Sequence, residues 1–152
     1  MVNKKSDNAD KDKEPKRYDK RLTFTVPGIP PSYNKSIKIN YRLRQIHLTQ
    51  EARRFKDKVK IHMPYWELPD RVLLFSVRIS YNSDWYYKNK KVRKKDVQNL
   101  DKLLIDAMFK ALGRDDSFLF KVTNEKIQSI KEFTRVELEV VNKERYRRKE
   151  KE

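Results

Sequence analysis

Asp96-Val97-Gln98-Asn99-Leu100-Asp101-Lys102-Leu103-Leu104-Ile105-Asp106-Ala107-Met108-Phe109-Lys110-Ala111-Leu112-Gly113 is the stretch on which the fold turns. Leu100, Leu103, Leu104, Ala107, Met108 and Ala111 recur at i, i+3, i+4, i+7, i+8 and i+11, the continuous apolar stripe of a helix. Asp96, or the residues just after it, stands where a cap and first turn belong, and Gly113 stands where a C-terminal stop belongs. At about 100° per residue, Asn99, Lys102, Asp106 and Lys110 gather opposite the stripe.

Upstream, Leu22-Thr23-Phe24-Thr25-Val26 alternates apolar and polar residues, the period of a half-buried strand. Pro27-Gly28-Ile29-Pro30-Pro31 stops it, because proline has no N–H for a ladder and the residue before a proline avoids the helical region. Thr49 reads as the N-cap of a helix to about His62, with Ala52, Phe55 and Val59 at helical spacing and Pro64 beyond its end. Residues from about Arg71 to Asn82, rich in Val, Leu, Phe and Ile, predict a second strand. Beyond the Asp115-Asp116 turn, one strand falls within about Phe118–Ile130 and another spans Phe133–Val141. The order strand–helix–strand–helix–strand–strand predicts an α+β domain, a small mixed sheet with two main helices packed mostly on one face. Residues 22–141 form that domain, between a disordered charged tail (1–21) and a basic C-terminal tail (142–152).

Charge narrows the partners. Lys and Arg number 38 against 22 Asp and Glu, a formal net charge of +16, which favours salt-dependent capture of polyanions. Nucleic acid is the expected partner, although charge does not choose between DNA and RNA. The absence of cysteine excludes disulfides and thiolate zinc sites and suits a reducing compartment. No apolar run is long enough to cross a bilayer, and the N-terminus has no apolar signal region, so a cytoplasmic location is expected. His47 and His62 lack metal-ligand spacing with each other.

Six of the eight residues from Lys88 to Lys95 are basic, and they lead directly into Asp96. A basic loop gathers phosphate oxygens, and an acid beyond it can hold a divalent cation against the same phosphate. Lys91, Arg93, Lys94 and Lys95 are therefore candidate DNA contacts, as are Asn34 and Lys35 after the proline-rich turn. A second acidic pair, Asp115-Asp116, follows the helix, and hard cations favour carboxylate oxygens brought from distant positions. Local reasons also exist: Asp is a common N-cap and a common turn residue. Trp85-Tyr86-Tyr87 can stack on unpaired bases or close a hydrophobic edge, the second being the commoner use of such a cluster.

Asp96-Val97-Gln98-Asn99-Leu100, Lys102, then Asp106-Ala107, then Asp115-Asp116 resembles the RusA family pattern D-x-D-N-L-x-K…D-A…D-D. Val26-Pro27-Gly28-Ile29-Pro30-Pro31-Ser32-Tyr33-Asn34 is similar to that family's strand and P-P-S-x-N turn, and His47, Thr49, Ala52 and Phe55 fall where its first helix begins. The resemblance implies a homodimeric, Mg²⁺-dependent Holliday junction resolvase of the phage and prophage type, serving DNA recombination and repair. It implies catalytic roles for Asp96, Lys102 and Asp116, with Asp96 and Asp116 on the metal. Gln98 departs from the pattern, standing where the family has its second acid. An amide oxygen can ligate a metal but brings no charge and cannot act as a base. Asp101 is turned away from Asn99 and Asp106 on the helix, whereas Asp106 lies one turn below Lys102 on the polar face. The ligand set is therefore Asp96 and Asp116 with either Gln98 or Asp106, or metal affinity is reduced, or the protein binds junctions without cutting them. The rival classes are a non-catalytic binder of structured nucleic acid and a basic RNA-binding module, the latter disfavoured by acids beside the basic loop. A four-way junction is two-fold symmetric, so one active site per chain implies a homodimer, and a modest core with 17 aromatic residues (Phe 7, Tyr 8, Trp 2) leaves surface for a partner.

Overall fold

Alternation in the strands and the 3.6-residue stripe in the helices build the two layers of a computed structural model that describes residues 17–149. The strands are β1 (Arg21–Pro27), β2 (Ile37–Asn40), β3 (Gln45–Leu48), β4 (Leu74–Ser83), β5 (Leu119–Gln128) and β6 (Phe133–Val141). The helices are α1 (Tyr33–Ser36), α2 (Gln50–His62) and α3 (Val97–Leu112), with short 3₁₀ turns at Asp116–Phe118 and Lys143–Tyr146. Four strands form a mixed sheet in the order β1-β6-β4-β5; β4 and β5 are parallel and the other pairs antiparallel. Parallel neighbours need a crossover connection, and α3 is the crossover between β4 and β5. The expected α+β class and the mixed sheet are present.

One face of the sheet carries the core. Phe24 and Val26 of β1 pair through Val136 and Thr134 of β6 with Ile79 and Tyr81 of β4, all buried. Leu100, Leu103, Leu104 and Met108 of α3, with Ala52, Phe55 and Val59 of α2, close over that face. The opposite face is charged: Arg21 reaches Glu137 at 3.2 Å and Glu139 at 3.4 Å, exposed pairs that contribute little. Caps fix both helices. Thr49 Oγ1 accepts from the Ala52 N–H at 3.3 Å, and Gly113, at φ 66°, takes the left-handed turn that ends α3.

Particular residues depart from the sequence reading. Ala111 is exposed, and Phe109 is buried instead, edge-on to Phe75 at 5.5 Å between ring centres. Helix α3 is covered by the sheet on one side and α2 on another, so its buried arc is wider than the stripe. Strand β4 begins at Leu74 rather than Arg71, because Leu74 pairs with Val141, the last residue of β6, while the Arg71 carbonyl accepts from the Arg114 guanidinium at 2.9 Å instead. The β2–β3 hairpin is an addition, a separate two-stranded sheet whose short turn lacks the Gly or Asn-Gly that would announce it. Tyr18 packs on the core and the Trp66 indole donates to the Asp19 carbonyl at 2.7 Å, so ordered structure begins upstream of Leu22. Residues 1–16 of the N-terminal tail and 150–152 of the C-terminal tail lie outside the described residues. Among the described residues no helix is long and apolar enough to cross a membrane.

Candidate active site

The chain enters α3 from the basic segment. Residues 85–93 form a tight loop, closed by Arg93 N–H to the Trp85 carbonyl at 2.7 Å and Tyr87 N–H to the Lys91 carbonyl at 2.8 Å. Lys91, Arg93, Lys94 and Lys95 are all exposed. The aromatic triplet divides: Trp85 is buried, its indole donating to the Tyr81 and Ile127 carbonyls, whereas Tyr86 and Tyr87 are exposed. The Arg93 guanidinium lies over the Tyr87 ring at 5.0 Å. Lys126, from β5, lies over Trp85 and donates to the Lys95 carbonyl, which ties the end of the loop to the sheet.

Asp96 is the N-cap of α3, its carboxylate accepting from the Gln98 N–H at 3.0 Å, and it is exposed. Gln98 is exposed beside it. Further along the helix, the Lys102 ammonium lies over the Tyr33 ring at 5.0 Å, so the turn that carries Asn34 and Lys35 abuts the polar face of α3. Asn34 and Lys35 are exposed there. Asp106 is half-buried and interacts with Asp116, which arrives from the turn after the helix. Burial first, then Asp116, hold the Asp106 carboxyl above its ordinary range, while Lys102 and Lys56 pull it down. Asp115 accepts from the Ser117 N–H at 2.9 Å, a turn-capping role that holds its own carboxyl low.

The acids therefore fall into two groups. Asp106 is ten residues beyond Asp96, roughly 15 Å along the axis at about 1.5 Å per residue. Ligands of one Mg²⁺ lie at about 2.1 Å from it. Within one chain, that separation keeps Asp96 and Asp106 from sharing an ion. Among the described residues no three His, Asp or Glu side chains converge as a metal-binding group. The donors are hard oxygens, right in kind for a divalent cation, and Asp106 beside Asp116 is a carboxylate pair that such an ion would neutralise.

Asp101 is buried beneath the Asp96 end of the helix, accepting from the Tyr81 hydroxyl and the Asn124 amide. Its position three residues before Leu104 places it on the apolar side, a readable sign that it needed a buried partner. Burial and Asp101 push the Tyr81 phenol above its ordinary range, so it stays a donor. Burial raises the Asp101 carboxyl, against the Tyr81 and Asn124 hydrogen bonds. Asp101→Ala strands two donors and is expected to cost about 2 kcal/mol, read as a lower urea midpoint at unchanged slope. Because the folded-state pKa is raised, the native chain binds the proton more tightly, and this group's contribution improves as pH falls through the folded pKa towards the lower unfolded value. The deficit of the variant should widen over that range; a deficit that shrinks on acidification would contradict this assignment of the burial effect. Lys56, facing Asp106 from α2, is a further site residue that local spacing does not reveal, because it comes from a different helix.

Fold and site together define a small, basic α+β domain that sets carboxylates and phosphate-seeking cations along one helix. The chain belongs to the RusA family: the family model described as endodeoxyribonuclease RusA matches residues 27–141, most of its length. Membership implies a nuclease acting on Holliday junctions. No curated protein matches the chain.

Proposed function

We propose that this chain resolves four-way DNA junctions by Mg²⁺-dependent phosphodiester hydrolysis, as a homodimer, in recombination and repair in the cytoplasm. The observation that carries the reading is the placement of Asp96 at the start of α3 and of Asp106 with Asp116 beside its C-terminal half, in a member of this family. A two-fold axis that ran α3 antiparallel to its copy would bring the Asp96 end of one protomer to the Asp106–Asp116 end of the other. Asp96, Asp106 and Asp116 would then hold the ion, with the Gln98 amide as a neutral oxygen donor. When bound, a divalent cation supplies charge neutralisation at the phosphoryl oxygen and acidifies a water. The exposed cations of the 85–95 segment draw the phosphates in, and Lys102, steadied over Tyr33, stabilises charge on the scissile phosphate.

A synthetic four-way junction incubated with the protein and Mg²⁺ should show paired, symmetric nicks, and sedimentation should show a dimer. Junction binding without nicks would favour the second reading, a non-catalytic binder, for which Gln98 in place of an acid is the specific support. Gln98→Asp is expected to keep or raise activity, since it restores the pattern's acid and adds a carboxylate in the first turn of α3, where about 0.3–1 kcal/mol of helix stabilisation is typical. Loss of activity in a folded Gln98→Asp protein would instead favour a site built around Asp106.

A further inference from the structure

The β2–β3 hairpin plays no part in the site described above, and its chemistry is unusual for a surface arm. Ile37 pairs with Leu48 and Ile39 with Ile46, so four apolar side chains share one face. The inner pair is half-buried, and Leu48 reaches the core. The outer pair is bare, Ile39 at 50% and Ile46 at 71% exposed, and the tip adds Tyr41 at 83% and Leu43 at 62%. From Tyr33 to Gln50 the chain carries Lys35, Lys38, Arg42 and Arg44 and no Asp or Glu. The base is fixed by Thr49 N–H to the Ser36 carbonyl at 2.9 Å and Ser36 Oγ to the Ser32 carbonyl at 2.8 Å. That base continues from Tyr33, the ring beneath Lys102, so the arm rises beside the polar face of α3.

We propose that this hairpin is a branch-point wedge: Tyr41 and Leu43 enter the opened base step at the junction centre while Lys38, Arg42 and Arg44 take the flanking phosphates. The inference rests on the junction-resolvase reading and extends it to the element that recognises the branch. Continuous duplex presents phosphates to the arm but no apolar surface for its tip. An unstacked step presents both, since bases offer apolar faces between phosphates. A second copy is the poorer occupant, because tip-to-tip contact would set Arg42 and Arg44 against the same cations with no acid between them.

The test uses a four-way junction with 2-aminopurine beside the branch point, without divalent ions, and a linear duplex of matching sequence. The full-length protein should raise the fluorescence and prefer the junction. Tyr41→Ala/Leu43→Ala should lose the rise and about tenfold of the junction-over-duplex preference, the scale of one lost base-stacking contact. Tyr41→Phe should keep both, and all variants should melt near wild type because the altered side chains are exposed. An unchanged rise and preference in the double variant, with the wild type junction-selective, would overturn the wedge alone. A dimer-to-monomer shift in the double variant would overturn it in favour of a contact between copies. A wild type that binds junction and duplex equally would overturn the resolvase reading, and the wedge with it.

Discussion

Asp96→Asn and Asp116→Asn are each expected to lower junction cleavage by about a hundredfold or more while leaving junction binding at least as tight as wild type. Each change removes one charged oxygen donor from the proposed ion site and also removes a negative charge beside the DNA. Binding should therefore hold while chemistry fails. Neither change should unfold the chain. Both residues are exposed, and Asn remains a good N-cap for α3. Mixing the two variants tests the arrangement across the two-fold axis. A heterodimer of Asp96→Asn with Asp116→Asn keeps one protomer's Asp96 and the other's Asp116. Sites shared between protomers would leave one of the two intact, and single nicks would return. Sites contained within each chain would both stay dead. Wild-type rates in either homodimeric variant would remove these residues from the site altogether.

Neutralising Lys91, Arg93, Lys94 and Lys95 together should weaken binding to every DNA form and flatten its salt dependence. Four phosphate contacts correspond to a slope of about −3.6 in log affinity against log salt, roughly a hundredfold over a fourfold change in salt. The loop should keep its shape, because the backbone hydrogen bonds from Tyr87 and Arg93 that close it remain, although the Arg93 guanidinium's longer bond to the Tyr86 carbonyl at 3.4 Å is lost. Arg93 also covers Tyr87, so that ring becomes freer when the guanidinium is removed. Affinity measured across a salt series should fall about equally for duplex and junction, since phosphate contacts carry no shape information. A slope unchanged within error would mean that the loop faces away from DNA. A loss confined to the junction would instead assign these cations to branch recognition.

Both experiments probe residues that are legible in the sequence, and that legibility has a local cause. Helix α3, its Asp96 cap and its Gly113 stop follow from 3.6-residue spacing and terminal hydrogen-bond demand, both expressed within a few residues. The alternation of Val136, Leu138 and Val140 likewise declares β6, whose bounds Phe133–Val141 coincide with the reading. The hairpin is less readable because its strands are four residues each and its turn residues Tyr41–Arg44 include no Gly, Pro, Asn or Asp, the one signal being Asn40 before them, whose side chain accepts from the Leu43 N–H at 3.3 Å. Arg44 takes the left-handed conformation at φ 49°, a cost that neighbours in the chain do not advertise.

Which acids are neighbours is another matter. Asp96, Gln98, Asp106 and Asp116 all stand out in the chain, yet helix rise alone keeps Asp96 well apart from Asp106, and only the returning turn brings Asp116 to Asp106. Lys56 joins them from α2 because the two helices share one face of the sheet. Asp101 reads as a misplaced polar residue until β4 and β5 supply Tyr81 and Asn124 as its partners. Element identity, caps and the charge of the 88–95 loop are properties of short segments and belong to the sequence. The division of the acids, the burial of Asp101 and Phe109, and the bare tip of the hairpin depend on which distant segments exclude water from one another. The tertiary structure alone decides them.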